Sequence, residues 1–176
     1  MRRVQMAALE LAEERGFSAV TVEDVAAAAG VGPATVYRNF GTKERIFLWD
    51  EYDPLLLEEI RAALPARSLL RAVRGAVGTA LDKVYGEDKR RILRRARLVL
   101  REPALHAAGE DDRAHLRRAL AEVLAPHVHP PGDPAVAAAA IVATMEVAVT
   151  QWVDLKGRTP MREVLERAFD ALRSMS

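Results

Sequence analysis

The stretch Thr21-Val-Glu-Asp-Val-Ala-Ala-Ala-Ala-Gly-Val-Gly-Pro-Ala-Thr-Val-Tyr-Arg-Asn-Phe-Gly-Thr-Lys-Glu-Arg-Ile-Phe47 decides how the chain is read. Its first four residues have the spacing of a capping box, a hydroxyl followed three places on by a carboxylate, although aspartate is shorter there than the preferred glutamate. Val22, Val25, Ala26 and Ala29 recur at i, i+3, i+4 and i+7, which predicts a helix of about two turns ending at Gly30. A second helix starts at Pro33, because proline suits a first helical turn whose N–H would be unpaired anyway. It runs to about Phe40 and stops at Gly41-Thr42. Two short helices around Gly30-Val31-Gly32 have the dimensions of a helix-turn-helix. Small residues at 26 and 29 allow the close crossing, glycine at 30 permits positive φ, and Val31 plugs the small core. Val36 and Phe40 lie four apart and face inward, which turns Thr35, Arg38 and Asn39 outward.

Arginine and asparagine suit bidentate contacts with guanine and adenine. Tyr37 and Lys43 sit at the edges, within reach of phosphate oxygens. A plain solvated helix face has the same composition, so the residues alone leave both readings open. The region from about Val4 to Phe47, above all Gly30-Val31, Thr35-Val36-Tyr37, Phe40 and Lys43-Glu44, resembles the N-terminal domain of TetR-family regulators. The resemblance implies phosphate contacts by Thr21, Tyr37 and Lys43, and base-edge contacts by Ala34, Thr35, Arg38 and Asn39. Two departures matter. Gly32 stands where the family often has serine, and only Arg2 and Arg3 serve as a basic arm before the first helix.

Upstream, Val4, Ala8, Leu11 and Ala12 predict a helix closed by Arg15-Gly16. Downstream, Thr42 caps a helix expected over 43–64 and stopped by Pro65. Further helices are expected near 68–85, 88–102, 111–125, 134–156 and 160–175. Their breaks fall at Gly86, at Glu102-Pro103 to Gly109, at Pro126 to Pro134 and at Gly157 to Pro160. The expectation is an all-α chain of about nine helices, with residues 1–47 for DNA binding and 48–176 for ligand binding and dimerisation.

Composition narrows the classes. The 176 residues are half apolar and 29% charged, enough for a fold that buries roughly 70% of the extended chain's surface. The absence of cysteine excludes disulfides and thiolate metal sites and fits a reducing cytoplasm. The N-terminus lacks the apolar core of a signal peptide. Pro134 to Met145, the most apolar stretch, ends at Glu146 and falls short of the ~20 residues a membrane span needs, so it reads as a buried helix. Net charge is +1, and residues 1–52 carry six Lys/Arg against eight Asp/Glu. Bulk charge therefore gives no argument for nucleic acid.

Beyond about Asp53 the resemblance implies a ligand pocket built from the later helices and a homodimer through the last two. A dimer also supplies two recognition helices for major grooves ~34 Å apart. Ala137, Ile141, Thr144, Ala148 and Trp152 form one apolar stripe, and Val142, Met145 and Val149 another. Val164, Leu165, Ala168, Phe169, Leu172 and Met175 form the apolar face of the final helix. This is more apolar surface than one small bundle covers. Lys89 to Arg101 is the most basic segment, with Ile92, Ala96 and Val99 expected inward. Its Arg90, Arg91, Arg94, Arg97 and Arg101 either pair with Glu87, Asp88, Glu102, Glu110 and Asp111 or hold an anionic inducer. The run from Arg95 to Leu105 resembles a subgroup that includes acyl-CoA-responsive members.

Arg97, Met145, Glu146 and Trp152 are the candidates to line a pocket. A carboxylate such as Glu146 in an apolar helix needs an arginine or a polar cavity. His127 and His129, one residue apart in a proline-rich loop, could share a metal but have no carboxylate or thiolate at ligand spacing, and His106 and His115 lie near another break, so neither metal nor cofactor is expected. No Ser/His/Asp set or phosphate-binding loop argues for an enzyme, since Gly75-Ala-Val-Gly78 lies within a helix pattern. A protein-interaction module with a vestigial hairpin and a small helical enzyme are the alternatives. The expectation is a cytoplasmic, dimeric repressor released from operator DNA by a small molecule.

Overall fold

The computed structural model describes residues 1–50, 52–64 and 68–174, with side chains except at 84–87. Among these residues every regular element is helical. The elements are α1 (Arg2–Arg15), α2 (Val22–Ala29), α3 (Pro33–Phe40), α4 (Lys43–Leu48), α5 (Asp53–Ala63), α6 (Leu69–Arg101), α7 (Pro103–Ala108), α8 (Glu110–Leu124), α9 (Pro134–Asp154) and α10 (Met161–Arg173). Single 3-10 turns occupy Phe17–Ala19 and Ala125–His127. Two compact units emerge. The first joins Met1–Asp50 to Arg90–Glu110, and the second joins Glu51–Lys89 to Asp111–Ser176.

Three boundaries differ from the sequence expectation. The helix expected over 43–64 is two helices, α4 and α5. Pro54 is the cause, because its ring would clash with the carbonyl of Asp50 in a continuous helix and it sits instead in the first turn of α5. The break expected at Gly86 does not occur, and α6 runs unbroken for 33 residues. An interior glycine costs only about 1 kcal/mol, too little to end a helix that both flanks support. The segment after Pro103, read as a loop, forms α7, whose Leu105 is fully buried in the first unit. Pro65 and Met175 lie outside the described residues.

In the first unit α1 lays Val4, Ala8, Leu9 and Ala12 against Val25 and Ala26 of α2, Val36 and Phe40 of α3, and Ile46 and Phe47 of α4. Phe17 meets Phe47 edge-on at 5.2 Å. Each large side chain buried here contributes about 1.5–3 kcal/mol. The inner face of the basic segment is rotated from expectation. Arg91 is buried, Leu98 and Val99 pack on the core, and Ile92 and Ala96 stay half-exposed.

In the second unit α9 packs on α10, which turns Met161, Val164, Leu165 and Phe169 inward. Asp133 caps α9 by accepting from the Ala135 N–H at 2.7 Å. The stripe read as spare surface is mostly internal: Ile141, Ala148 and Trp152 are buried, with Ala138 and Val142. A different face is left uncovered, where Val136 is 66% and Val147 51% exposed. By length and composition α9 could cross a membrane, but 33% of its most apolar window is buried inside the protein. The expectation of a buried helix is therefore corrected to one with a buried face and an open apolar face. Gly78 lets the Arg162 guanidinium lie across α6, where a Cβ would come within 3.3 Å of it.

Candidate nucleic-acid interface

The interface begins with the cap of α2. Thr21 Oγ1 accepts from the Asp24 N–H at 3.1 Å, while the Thr21 N–H donates to Asp24 Oδ2 at 3.1 Å. The Thr21 hydroxyl also donates to that carboxylate at 2.7 Å. Aspartate thus closes the capping box despite its shorter reach. These bonds, with Arg15 at 3.8 Å adding attraction, hold the Asp24 carboxyl below its ordinary pKa. A depressed folded pKa means that the cap's contribution is complete above the unfolded value of about 4 and is lost as pH falls through the lower folded value. Asp24→Asn should therefore lower stability by a constant amount above about pH 5. The gap to the parent should narrow in urea titrations below about pH 4; a gap unchanged down to pH 2 would exclude the carboxylate as its source.

Gly30 takes φ +64, the left-handed value the turn requires, and the Val31 N–H bonds to the Ala26 carbonyl at 3.0 Å. Gly32 starts α3 with no side-chain cap. Val36 and Phe40 are the buried residues of α3, so Ala34, Tyr37, Arg38 and Asn39 face solvent, with Thr35 half-exposed beside them. Arg38 has no hydrogen bond or ion pair among the described residues, so its five donors point outward uncommitted. Asn39 spends one amide proton on the Thr35 carbonyl at 2.7 Å, which fixes the side chain and leaves its oxygen and second proton available.

The residues expected at phosphates are more engaged. Lys43 Nζ donates to the Phe17 carbonyl at 3.1 Å and lies 4.2 Å over the Phe17 ring. That anchors the ammonium at the N-terminus of α4 with two protons to spare. The Tyr37 hydroxyl reaches Glu23 at 3.4 Å, a long bond that a phosphate would easily replace. Thr21 offers no free proton while Asp24 holds it.

Two features were missed from the sequence. Arg3 lies inside α1 rather than on an arm before it, and lines a cavity of about 270 Å³ with Val4, Val31, Thr35, Asn39 and Phe40. It adds an exposed cation beside the outward face of α3. The second is charge. Residues 1–50 alone carry six Lys/Arg against seven Asp/Glu, but the whole first unit, with 90–110 included, carries twelve against nine. The arginine-rich end of α6 thus turns a formal −1 into +3, the sign that favours polyanion binding.

The arginines achieve this with partners other than those expected. Arg94 bonds Glu13 at 2.6 Å and Glu10 at 3.4 Å, both on α1, and Glu13 in particular raises its pKa. Arg95 bridges Asp50 and the Trp49 carbonyl. Arg91 donates to Gln5 at 2.6 Å. Gln5, fully buried, donates to the carbonyls of Ile46, Phe47 and Trp49 at 3.1, 3.3 and 2.8 Å. Those are carbonyls that the short α4 leaves unpaired at its end.

The family model of tetR-family bacterial regulatory proteins matches residues 6–48, and that of the MftR C-terminal domain matches residues 67–175. The chain belongs to the TetR family. This TetR-family transcriptional regulator has the fold of several solved structures. One is the fatty acid degradation regulator FadR of Bacillus halodurans, 20% identical with TM-score 0.66 over 97% of this chain and 93% of the other. Another is Thermus thermophilus FadR, a transcriptional repressor in complex with lauroyl-CoA, 22% identical with TM-score 0.58 over 97% and 92%. A third is SmeT, the repressor of a Stenotrophomonas maltophilia multidrug efflux pump, 17% identical with TM-score 0.63 over 97% and 86%. No curated protein matches the sequence closely enough to count as a relative.

The four pocket candidates of the TetR-family regulator fall apart by position. Arg97 belongs to the first unit and is half-buried, while Met145, Glu146 and Trp152 lie on α9 in the second. Trp152 is buried and donates to the Thr159 carbonyl at 3.1 Å. Glu146 is exposed rather than buried and pairs with Arg113 at 3.4 Å. Met145 is half-buried.

Proposed function

We propose that the protein is a homodimeric, cytoplasmic repressor whose α3 reads operator DNA and whose later helices bind a small-molecule inducer. Residues 1–47 carry DNA recognition, and 48–176 carry ligand binding and dimerisation, with the arginine end of α6 packed into the DNA-binding unit. The observation that carries this reading is the outward face of α3, where Thr35, Arg38 and Asn39 stand together and Arg38 has no partner among the described residues. Ala34 keeps the backbone near the bases, while Tyr37, Lys43 and Thr21 flank the helix at phosphate height. The open apolar face of α9 is the part a second copy covers, with the charged outer side of α10, where Glu163 and Arg167 pair, as its rim.

The inducer class supported best is an acyl-CoA. The resemblance from Arg95 to Leu105 favours it, and a similarly folded repressor is solved with lauroyl-CoA. Because Arg91, Arg94 and Arg95 hold protein partners, Arg90, Arg97 and Arg101 are the guanidiniums of the first unit left for an anion, and Met145, Glu146 and Trp152 are the lining candidates within the second. The mechanism is a population shift: the ligand prefers a conformation that mis-spaces the two α3 helices, and operator weakens ligand binding by the same factor. Calorimetry with lauroyl-CoA that gave neither heat nor thermal stabilisation would exclude this inducer class.

Fluorescence anisotropy with DNA from upstream of the protein's own gene tests the DNA reading. Arg38→Ala should cost about 1–3 kcal/mol and relax selectivity at one base pair, whereas Lys43→Ala should weaken all sequences evenly and lower the salt slope by about 1. Absence of binding there and across random sequences would leave the helix-turn-helix as scaffold.

A further inference from the structure

Phe40 closes α3, and its ring meets the Trp49 indole edge-on, 6.5 Å between centroids at 89°. Trp49 ends α4. Its carbonyl accepts from Gln5 and from Arg95, both at 2.8 Å. Its ring lies 5.5 Å from the Arg91 guanidinium. The other arm of Arg95 holds the carboxylate of Asp50, the next residue, and Arg91 is tied to Gln5. One side chain therefore touches the end of α3 while two arginines of α6 fix its ring, its backbone and its neighbour.

The two buried side chains of α3 divide the task of holding it. Val36 lies near the middle of the helix and Phe40 at its end, where a shift of the ring has the longest lever arm. Apolar packing alone tolerates slip. A guanidinium fork spanning a carbonyl and a carboxylate does not, because both bonds depend on direction. We propose that Trp49, gripped by Arg91 and Arg95, is the positioning residue that sets the tilt of α3 and so brings Arg38 and Asn39 into register with the base edges. The inference rests on the reading of α3 as the helix that enters the DNA groove. Trp49 touches no DNA in this account and acts through Phe40.

A double-mutant cycle on operator affinity tests it, with Arg38→Ala crossed against Arg95→Gln at a temperature where every variant is folded. Arg38 and Arg95 share no described bond, so effects that come only from general loosening should multiply. Positioning predicts otherwise. Arg38→Ala should weaken parent binding about fivefold or more, but less than about threefold once Arg95→Gln has let α3 tilt. Arg95→Lys, which keeps the charge and loses the fork, should show the same loss of coupling should Arg95→Gln fold poorly. In a Trp152→Phe background Trp49 is the sole tryptophan, since the chain has two. Its emission should shift in Arg95→Gln, and Trp49→Phe, which keeps an edge-on ring, should retain more operator selectivity than Trp49→Leu. Multiplicative effects with unchanged Trp49 emission would overturn the proposal while leaving DNA binding intact. An Arg38→Ala that fails to weaken the parent would instead remove the DNA reading itself, and this inference with it.

Discussion

Val147→Arg should convert the protein to a monomer and weaken operator binding about a hundredfold or more. Val147 is 51% exposed on the open face of α9, and Val136, 66% exposed, lies further along the same helix. On a helix of 21 residues, about 30 Å long, this face is the surface on which a two-fold partner would pack its own identical face. A substitution there enters such an interface twice. Two guanidiniums would meet near the axis, each stripped of water and without a carboxylate to receive it, because the acidic residue nearby, Glu146, is paired with Arg113. The monomer would keep its fold, since Val147 belongs to no buried cluster. It would lose only the linkage that lets one recognition helix raise the local concentration of the other. Sedimentation velocity alongside anisotropy reads both effects, with Val147→Ala as the control that stays dimeric. A Val147→Arg protein that still sediments as a dimer would place the interface elsewhere.

The second large effect concerns stability. Gln5→Leu should cost about 3 kcal/mol or more and lower the melting temperature by about 10 °C. Leucine fills the space with an apolar group, which ordinarily favours a buried site. Here it would strip the Ile46 and Phe47 carbonyls of the amide bonds that Gln5 supplies and deprive the buried Arg91 guanidinium of its 2.6 Å acceptor. Each unpaired buried group costs about 1–3 kcal/mol. Gln5→Glu separates charge from geometry. A carboxylate would strengthen the bond to Arg91 but would repel the α4 carbonyls, and it should recover only part of the loss. Loss of less than about 1 kcal/mol by Gln5→Leu in urea titrations would show that water or backbone adjustment replaces the amide.

The helix-turn-helix was legible because its signals are local. A capping box, a left-handed glycine, a proline start and the Val36/Phe40 pair all act within four residues, and each appears where the spacing placed it. Pro54 was passed over because its effect falls on a carbonyl four residues earlier, inside an otherwise continuous helical pattern. Gly86 was over-read, since flanking turns hold α6 through it. Gln5 and Arg91 were invisible for a different reason. Periodicity marks apolar faces, and a buried glutamine looks like a surface residue until the carbonyls it serves, 41 to 44 places away, are known. The arginine pairs of α6 were sought among sequence neighbours, whereas their partners sit on α1 and beside Trp49. On α9 the three possible faces are all apolar. Composition could not tell which one meets α10 and which stays open.

The first unit is assembled from two pieces of chain that lie forty residues apart in the sequence. That discontinuity limits how the protein can be cut and recombined. A fragment ending near residue 50 would carry the helix-turn-helix yet lack the guanidiniums that hold Trp49 and Gln5. A hybrid regulator made by splicing these fifty residues onto a foreign sensor would inherit whatever side chains that sensor presents at the matching places. On the proposed role of Trp49, operator preference should therefore not behave as a portable cassette. It should travel only with Gln5, Trp49, Arg91 and Arg95 together, and exchanges that split this set should yield proteins with the right motif and poor discrimination.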